Sequence, residues 1–378
     1  MHDADRFKSS IRFVYLPVGL RLAIRDLFVF ANLLQINFAN LLIKPFKYKT
    51  EKEIKNKVKN KEIRKVLIIR NDQIGDSVLS LKLIEALKQE FSDIYILASE
   101  KNDFIFKEID MKTIKLQDLS NKDIKFDLTI NLTGMPIPSN LNTQYIIGMN
   151  KGLSSFSYST FYKYSISTSK MQVTDFYKEL IKDLLGINLK VDDSPPSDFK
   201  KEKKDQIFIF VGNKPNRNIP YEKWKELILL SASKTKTIVA DDPDQRIMNK
   251  LSQDKDIIEN KNIELIVGPK QLKELAKIAK DSKLFIALDG GAEHYLERYT
   301  NALIIYTCGY PSNWKPFSLN RYNVHHLEDD HILEETTTSA GLKKYVLYRV
   351  KQRKPCYDLV CDYKKFKEID FNIIKNIL

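Results

Sequence analysis

The chain has 378 residues, 43 % hydrophobic and 29 % charged, a composition typical of folded globular proteins. It excludes a disordered chain, a collagen-like repeat and a polytopic membrane protein, and three cysteines are too few for a disulfide framework. The net charge of +13 favours an anionic partner: nucleic acid, a phosphorylated small molecule or an anionic membrane surface.

The N-terminal region, residues 1–60, predicts a helical extension. Residues 11–46 have the pattern of one or two amphipathic helices, and the 17 residues from Leu27 to Ile43 carry no charge. That stretch contains Asn and Gln and is shorter than the roughly 20 apolar residues that a membrane span needs. Two interpretations stay open: the helices lie in a membrane interface, or they pack on the first domain.

A lysine-rich segment follows, with ten basic residues and three glutamates between Lys44 and Lys65. It predicts a solvated helix that acts as a linker, and its charge also suits anionic lipid headgroups.

From residue 63 onward, short apolar runs alternate with amphipathic segments. The first half predicts helices over 76–90 and 173–185 and strands over 65–70, 93–98, 126–133 and 144–147. A stretch containing two prolines, 191–204, predicts a linker.

The same alternation begins again after the linker. It predicts helices over 221–231, 243–251, 271–281 and 292–299, and strands over 206–211, 235–240, 263–267, 283–288 and 302–307. The tail 364–378 predicts a helix. The two successive series of alternating strands and helices indicate two doubly wound α/β domains facing each other across a cleft. In such domains ligands bind beyond the carboxyl ends of the strands.

The loop after the first strand, residues 70–76, is the first candidate site. Gly75 permits a tight turn, and Asp76 then stands at the start of a helix. Asp76 is interpreted either as a simple N-cap or as a general base that stays ionised at neutral pH. The Gly-x-Gly-x-x-Gly spacing of a dinucleotide site is absent.

Four blocks carry a resemblance to the lipopolysaccharide heptosyltransferases, the family 9 glycosyltransferases. They are VLIIRNDQIGDSVLSLKLIEALKQEF, DLTINLTG, GNKPNRNIPYEKW and KELAKIAKDSKLFIALDGGAEHYLERYTNALIIYTCGYPSNWKPF, which together span roughly residues 64–320. The resemblance implies two facing Rossmann-like domains of the B-type glycosyltransferase fold. It assigns 61–195 to an acceptor-binding domain and 205–350 to a nucleotide-sugar domain. Beyond the resemblance, 351–378 is expected to form a tail whose helix packs back on the first domain.

The resemblance also implies roles for individual residues. Asp76 matches the aspartate that activates the acceptor hydroxyl, and Asn71 and Gly75 belong to the acceptor-side loop. The donor site is assigned to Arg217, Lys214, Asp289, Gly290, Gly291 and His294, with Gln245 or Asp244 reading the nucleoside. The two glycines are expected to expose backbone N–H groups to the diphosphate. Gly290 departs from the family pattern, which has a threonine there.

The expected function is the inverting transfer of a heptose from ADP-heptose to a lipopolysaccharide or lipooligosaccharide core. Neither a metal nor another cofactor is expected, and His325, His326 and His331 lack a metal-ligand spacing. No nucleic-acid motif occurs. The expected location is the cytoplasm, peripheral at the inner face of the inner membrane. Two alternatives stay open: transfer from another nucleotide sugar in cell-surface glycan synthesis, and a non-catalytic, membrane-associated protein that binds nucleotide sugars.

Overall fold

The structure is a computed structural model. It describes residues 27, 30, 31, 34–119, 124–133, 137–149, 157–162, 171–212, 218–307, 322–327, 331–349 and 371–378. The chain divides into two compact units, Met1–Val191 and Asp192–Leu378. Within the described residues, no helix has the length and apolarity needed to cross a membrane.

Unit 1 is built on a six-stranded sheet in which every neighbouring pair is parallel. Its spatial order is β3-β2-β1-β4-β5-β6, from strands β1 (Lys65–Ile69), β2 (Asp93–Leu97), β3 (Lys112–Ile114), β4 (Phe126–Asn131), β5 (Thr143–Met149) and β6 (Thr160–Tyr162). The central strand β1 is an uninterrupted apolar run after its first residue, as expected for a parallel strand covered on both faces. The three-residue strands β3 and β6 are too short to give a periodic signal.

Five α-helices of unit 1 have defined bounds: α1 (Tyr48–Lys59), α2 (Ile74–Leu87), α3 (Asp103–Lys107), α4 (Leu116–Leu119) and α5 (Val173–Leu185). Helix α5 has the predicted bounds and ends at Gly186, whose φ of +73° suits glycine. Helix α2 begins at Ile74, two residues before its predicted start.

The segment before β1 packs on unit 1. Residues 34–38 are helical, a π-turn covers Ala39–Ile43, and a 3₁₀ turn covers Lys44–Lys47 before α1. Ala39 and Ile43 pack against Tyr158 and Phe161. The prediction of a solvated linker is therefore wrong for this part of the lysine-rich segment.

A buried ion pair accounts for this correction. The Nζ of Lys44 lies 2.5 Å from Glu51 Oε2 and donates hydrogen bonds to Thr160 Oγ1 and to the backbone oxygen of Phe161. The side chains of Lys44 and Glu51 are 10 % and 8 % exposed. Their partners come from β6, more than a hundred residues further along the chain, so the local charge pattern does not reveal them.

Unit 2 contains an eight-stranded sheet of order β12-β13-β14-β11-β10-β7-β8-β9. Its strands are β7 (Lys204–Phe210), β8 (Lys236–Ala240), β9 (Ile263–Ile266), β10 (Ser282–Leu288), β11 (Asn301–Ile305), β12 (Asn323–His326), β13 (His331–Thr337) and β14 (Lys343–Arg349). The six strands from β14 to β9 are parallel, as predicted for β7 to β11, whereas β13 is antiparallel to both of its neighbours. The antiparallel edge was not predicted: β12 is exposed along its length and has no apolar alternation, and β13 is mostly buried but contains several polar residues.

The helices of unit 2 are α6 (Tyr221–Ala232), α7 (Met248–Leu251), α8 (Lys255–Ile258), α9 (Leu272–Asp281) and α10 (Gly291–Leu296), with 3₁₀ turns at Glu297–Tyr299 and Phe371–Ile374. The helix predicted over 243–251 is wrong in its first half. Gln245 has a left-handed φ of +52°, and α7 begins only at Met248.

The end of the chain also differs from prediction. Phe371 and Ile374 are fully buried in the apolar cluster of unit 2, together with residues of β7, β10 and β11. The expectation that the tail packs back on the first domain is wrong for 371–378, since these apolar side chains complete the core of unit 2.

Candidate functional site

In unit 1, the candidate site lies at the carboxyl end of β1. Helix α2 has Gln73 as its N-cap, so Asp76 lies in the first turn and is not the cap. The Asp76 side chain is 14 % exposed, and Oδ1 lies 3.4 Å from Nη2 of Arg70. Gly75 is buried in the same turn. The N-cap interpretation of Asp76 is therefore wrong, and its carboxylate stands beside a guanidinium.

Arg70 fixes the geometry of this loop. Its Nε and Nη2 donate to the backbone oxygen of Asp76 at 3.1 and 2.7 Å, and Nη1 donates to the backbone oxygen of Leu132 at 2.5 Å. The guanidinium lies over the ring of Tyr177, 5.2 Å from its centroid. This side chain is fully buried, so its contacts tie the first turn of α2 to β4 and α5.

The charge of Arg70 is stable in this environment. Burial by itself lowers the pKa of Arg70, but the nearby Tyr177, Asp72 and Asp76 together raise it above its ordinary value. Burial also raises the pKa of Tyr177, whose hydroxyl stays protonated and donates to Leu132. A permanent positive charge therefore favours the ionised carboxylate of Asp76.

Two oxygens in the same loop have unmet hydrogen-bonding capacity. Among the described residues, Asn71 Oδ1 and Asp72 Oδ1 are buried and accept no hydrogen bond. Buried acceptors normally have donors, and a ligand hydroxyl is a donor of the right kind. The loop therefore combines one carboxylate that is partly open to solvent with two oxygens suited to accept from hydroxyl groups.

In unit 2, the loops after β7, β8 and β9 meet at the carboxyl edge of the sheet. Gly212 lies so close to the loop after β8 that an added Cβ would be 2.4 Å from the backbone nitrogen of Asp242. Gln245 donates from Nε2 to Asp242 O and accepts from the Gly268 N–H through Oε1. Both ends of the Gln245 amide therefore hold loops together, and Asp244 pairs with Arg246 on the surface.

Residues 289–294 form the second cluster of unit 2. Asp289 follows β10, Gly290 is the N-cap of α10, and Gly291 is the first residue of that helix. The Gly290 N–H donates to Glu293 Oε2 at 2.9 Å. The expectation that both glycines leave their N–H groups open to a diphosphate is therefore wrong for Gly290, whose donor is taken by a carboxylate of the same helix.

Glu293 and His294 are both buried, 1 % and 3 % exposed, and Glu293 Oε1 lies 3.0 Å from His294 Nδ1. Burial, with the charge of Asp289, raises the pKa of Glu293 well above its usual range, and burial lowers the pKa of His294 to about 4. These shifts favour a neutral acid beside a neutral imidazole, so the contact is not a conventional ion pair. The ligand-type atoms of Asp289, Glu293 and His294 lie within 4.8 Å of one another.

The structure brings the predicted residues together in two groups. Asn71, Gly75 and Asp76 share one loop of unit 1, and Asp289, Gly290, Gly291 and His294 share one turn of unit 2. Lys214 and Arg217 lie outside the described residues, directly after the β7 loop that begins at Val211.

Two residues of the candidate site, Arg70 and Glu293, were not assigned a role from the sequence. Arg70 directly follows the apolar strand β1, and this position is the signal that the arginine is buried rather than solvated. Glu293 stands three residues after Gly290, the spacing at which a glutamate reaches back to an N-cap N–H. Both signals were present in the sequence, but neither indicates how deeply the side chain is buried.

No protein-family profile and no curated protein sequence matches the chain. Solved structures do match. E. coli heptosyltransferase WaaC with ADP is 15 % identical, with a TM-score of 0.54 over 66 % of this chain and 89 % of the other. A family 9 glycosyltransferase from Veillonella parvula DSM 2008 is 16 % identical, with a TM-score of 0.53 over 67 % and 83 %.

E. coli ADP-heptose lps heptosyltransferase II is 14 % identical, with a TM-score of 0.53 over 68 % of this chain and 88 % of the other. The predicted fold class, two doubly wound α/β units of the B-type glycosyltransferase fold, is thereby confirmed. The chain has the fold of the heptosyltransferases that the sequence blocks resemble.

Proposed function

We propose that the chain is an inverting glycosyltransferase that moves a heptose from ADP-heptose to a lipid-anchored core oligosaccharide. The observation that carries the proposal is the Asp76 carboxylate, partly exposed in the first turn of α2 and held beside the buried Arg70. Because Arg70 also holds the backbone of this turn, the base is fixed in position. The similarity of fold to heptosyltransferases solved with ADP supports the nucleotide part of the proposal.

The proposed reaction is a single displacement. The acceptor hydroxyl loses its proton to Asp76 as its oxygen forms a bond to the anomeric carbon of the donor. The bond between that carbon and the diphosphate oxygen breaks, and ADP leaves with the electron pair. Asn71 and Asp72 accept hydrogen bonds from neighbouring acceptor hydroxyls, which orients the attacking group.

The donor is assigned to unit 2. Arg217, with Lys214, neutralises the diphosphate, while Asp289, Gly291 and His294 shape the turn beside it. Gln245 holds the loops that border the nucleoside. The proposal needs no metal, as the resemblance implies.

A second candidate is transfer from a different nucleotide sugar. Gly290 lacks the hydroxyl that the resemblance places there, and its N–H is already bonded to Glu293. Both features remove polar contacts from the donor turn, which favours a donor sugar other than heptose.

The test is an assay of the full chain with ADP-heptose and a heptose-less core acceptor. Mass spectrometry detects the added heptose, nuclear magnetic resonance gives the anomeric configuration, and parallel reactions contain a chelator or other nucleotide sugars. We expect an inverted product that forms equally well with chelator. If only a different nucleotide sugar serves as donor, the result supports the second candidate function. Binding of ADP without any transfer points to a non-catalytic protein and overturns the proposal.

A further inference from the structure

Unit 1 carries an outward-facing row of large apolar side chains that its own described residues leave uncovered. Most of the row recurs every three or four residues along the helical segment before α1, and all of its members are exposed. We call this row the apolar stripe; it consists of Leu34, Phe38, Leu41, Leu42, Phe46 and Tyr48, and the exposed fractions run from 45 % at Phe38 to 85 % at Phe46.

The opposite side of the same segment is fixed to unit 1. Ala39 and Ile43 are buried against Tyr158 and Phe161. Lys44 adds its buried ion pair and two hydrogen bonds on this side. Because rotation of the segment would expose these groups, the stripe cannot turn inward to cover itself.

Charge distinguishes this surface from an ordinary apolar contact. Residues 27–50 contain no acidic residue. Of their three lysines, Lys44 is buried in its ion pair and Lys47 donates to the backbone oxygen of Tyr158, which leaves Lys49 exposed. Lys49 and Lys52 are exposed and continue the side of the stripe into α1 at helical spacing. The surface is therefore apolar along its length and basic at one end.

We infer that the apolar stripe lies in the interfacial layer of an anionic lipid bilayer, parallel to its surface. Leu41 and Phe46 reach the acyl boundary, while Lys49 and Lys52 contact the anionic headgroups. Contiguous exposed apolar patches usually mark interaction surfaces, and the absence of acidic residues favours an anionic partner. A second copy of the chain would bring an equally basic surface, which disfavours self-association through the stripe.

This inference extends the proposed function, whose acceptor is lipid-anchored, and it names the surface of the chain that holds the enzyme at the lipid. A surface-bound enzyme meets its acceptor at a higher effective concentration than one in solution.

The experiment is flotation of the full chain with vesicles of phosphatidylcholine, with or without phosphatidylglycerol. We expect the chain to float with the anionic vesicles. The double variant Leu41→Glu with Phe46→Glu should reduce the partition coefficient by about 100-fold or more, because two large side chains lose apolar burial. Lys49→Glu with Lys52→Glu should reduce flotation on the phosphatidylglycerol vesicles.

The matched control is Leu116→Glu with Ile258→Glu, which makes the same chemical change at two exposed apolar positions elsewhere. It should float like the unchanged chain, and all variants should keep their unfolding midpoint. Equal flotation of the stripe variant overturns the inference. Failure of the unchanged chain to bind the vesicles also overturns the inference. This holds whatever its oligomeric state, including a dimer that the stripe variant converts into monomers.

Flotation uses no sugar, so it is independent of the assay for transfer. A chain that floats as expected but transfers no sugar leaves this inference intact and removes only the proposed function. A chain that transfers sugar to a soluble acceptor but does not float removes only this inference.

Discussion

Asp76 is the residue on which the proposed chemistry depends. Its carboxylate is the group available to take a proton, and Arg70 holds both the carboxylate and the backbone of its turn. Asp76→Asn keeps the shape but removes the basic oxygen. We expect turnover to fall by roughly 100-fold or more, with donor affinity nearly unchanged. Steady-state kinetics and calorimetric titration with ADP measure the two quantities.

The control for Asp76 lies on the same helix. Glu85 is partly exposed and pairs only with Lys82 in the described structure, so Glu85→Gln removes one negative charge away from the loop. It should leave turnover within about twofold, as expected for a surface ion pair. Full activity of Asp76→Asn would reduce Asp76 to a structural residue.

Arg217 is assigned to the donor diphosphate from the resemblance alone. Arg217→Ala should weaken ADP binding by on the order of 1.5–3 kcal/mol, the usual loss for a hydrogen bond to a charged group. Calorimetric titration measures this change, with Lys200→Ala as a control on the surface of unit 2. Unchanged ADP affinity would show that Arg217 does not bind the donor diphosphate.

His294 makes the stability of unit 2 depend on pH. Burial lowers its pKa to about 4 from the ordinary 6.5. Between these pH values the unfolded chain takes up a proton that the folded chain does not. The contribution of His294 to the free energy of unfolding is therefore fully present above pH 6.5 and is lost as the pH falls toward 4. From pH 7 to 4.5, the unchanged chain should lose about 2 kcal/mol relative to His294→Gln.

Urea unfolding at the two pH values measures this difference. The exposed His326 provides the control His326→Gln, which separates the effect of position from the effect of removing a histidine. Parallel pH profiles for the unchanged chain and His294→Gln would contradict the assignment of a neutral, buried imidazole.

At the scale of elements, the Lys44–Glu51 pair holds the N-terminal segment to β6. Lys44→Met leaves Glu51 with Lys55, 2.9 Å away, as its remaining cation. We expect the free energy of unfolding to fall by about 2–3 kcal/mol, because a buried carboxylate loses one partner. The double variant Lys44→Met with Glu51→Met should lose less than Lys44→Met alone, since no charge is then left buried.

Urea unfolding of the single and double variants measures the coupling between Lys44 and Glu51. Lys112→Met breaks a surface pair with Asp93 and should cost less than about 1 kcal/mol. If Lys44→Met behaves like this surface control, the segment is not held by its ion pair.

At the scale of the whole molecule, residues 1–60 divide into a part that completes unit 1 and a part that precedes it. Removal of 1–60 uncovers Tyr158 and Phe161 and removes the partners of Thr160. We expect that truncation to aggregate or to unfold at lower temperature, whereas removal of 1–33 keeps all of these contacts. Size-exclusion chromatography and thermal unfolding compare the two. Equal stability of both truncations would show that the segment is not part of the fold.

Much of the architecture was predictable because strand periodicity is a local property. β1 and β10 are apolar runs bounded by polar residues, and both lie within one residue of their predicted positions. The position of the loop that carries Asp76 was also predicted from the sequence, since a loop after a strand is a local feature. Strand β12 was missed because an exposed edge strand needs no apolar alternation. Strand β13 was missed because it buries polar side chains, His331, Glu334 and Thr336, which hide an apolar pattern.

The sequence by itself determined the alternation of strands and helices and the loops that carry the candidate chemistry. The tertiary structure alone decided which charged groups are buried. Arg70 is enclosed by Leu132 and Tyr177, and Lys44 by Glu51 and Thr160, partners that are mostly distant in the chain. Folding also brings the Glu293 carboxylate to the Gly290 N–H, from which it accepts a hydrogen bond. The physical reason is that apolar periodicity follows from neighbours along the chain, whereas the cost of burying a charge is offset by partners that only folding brings within reach.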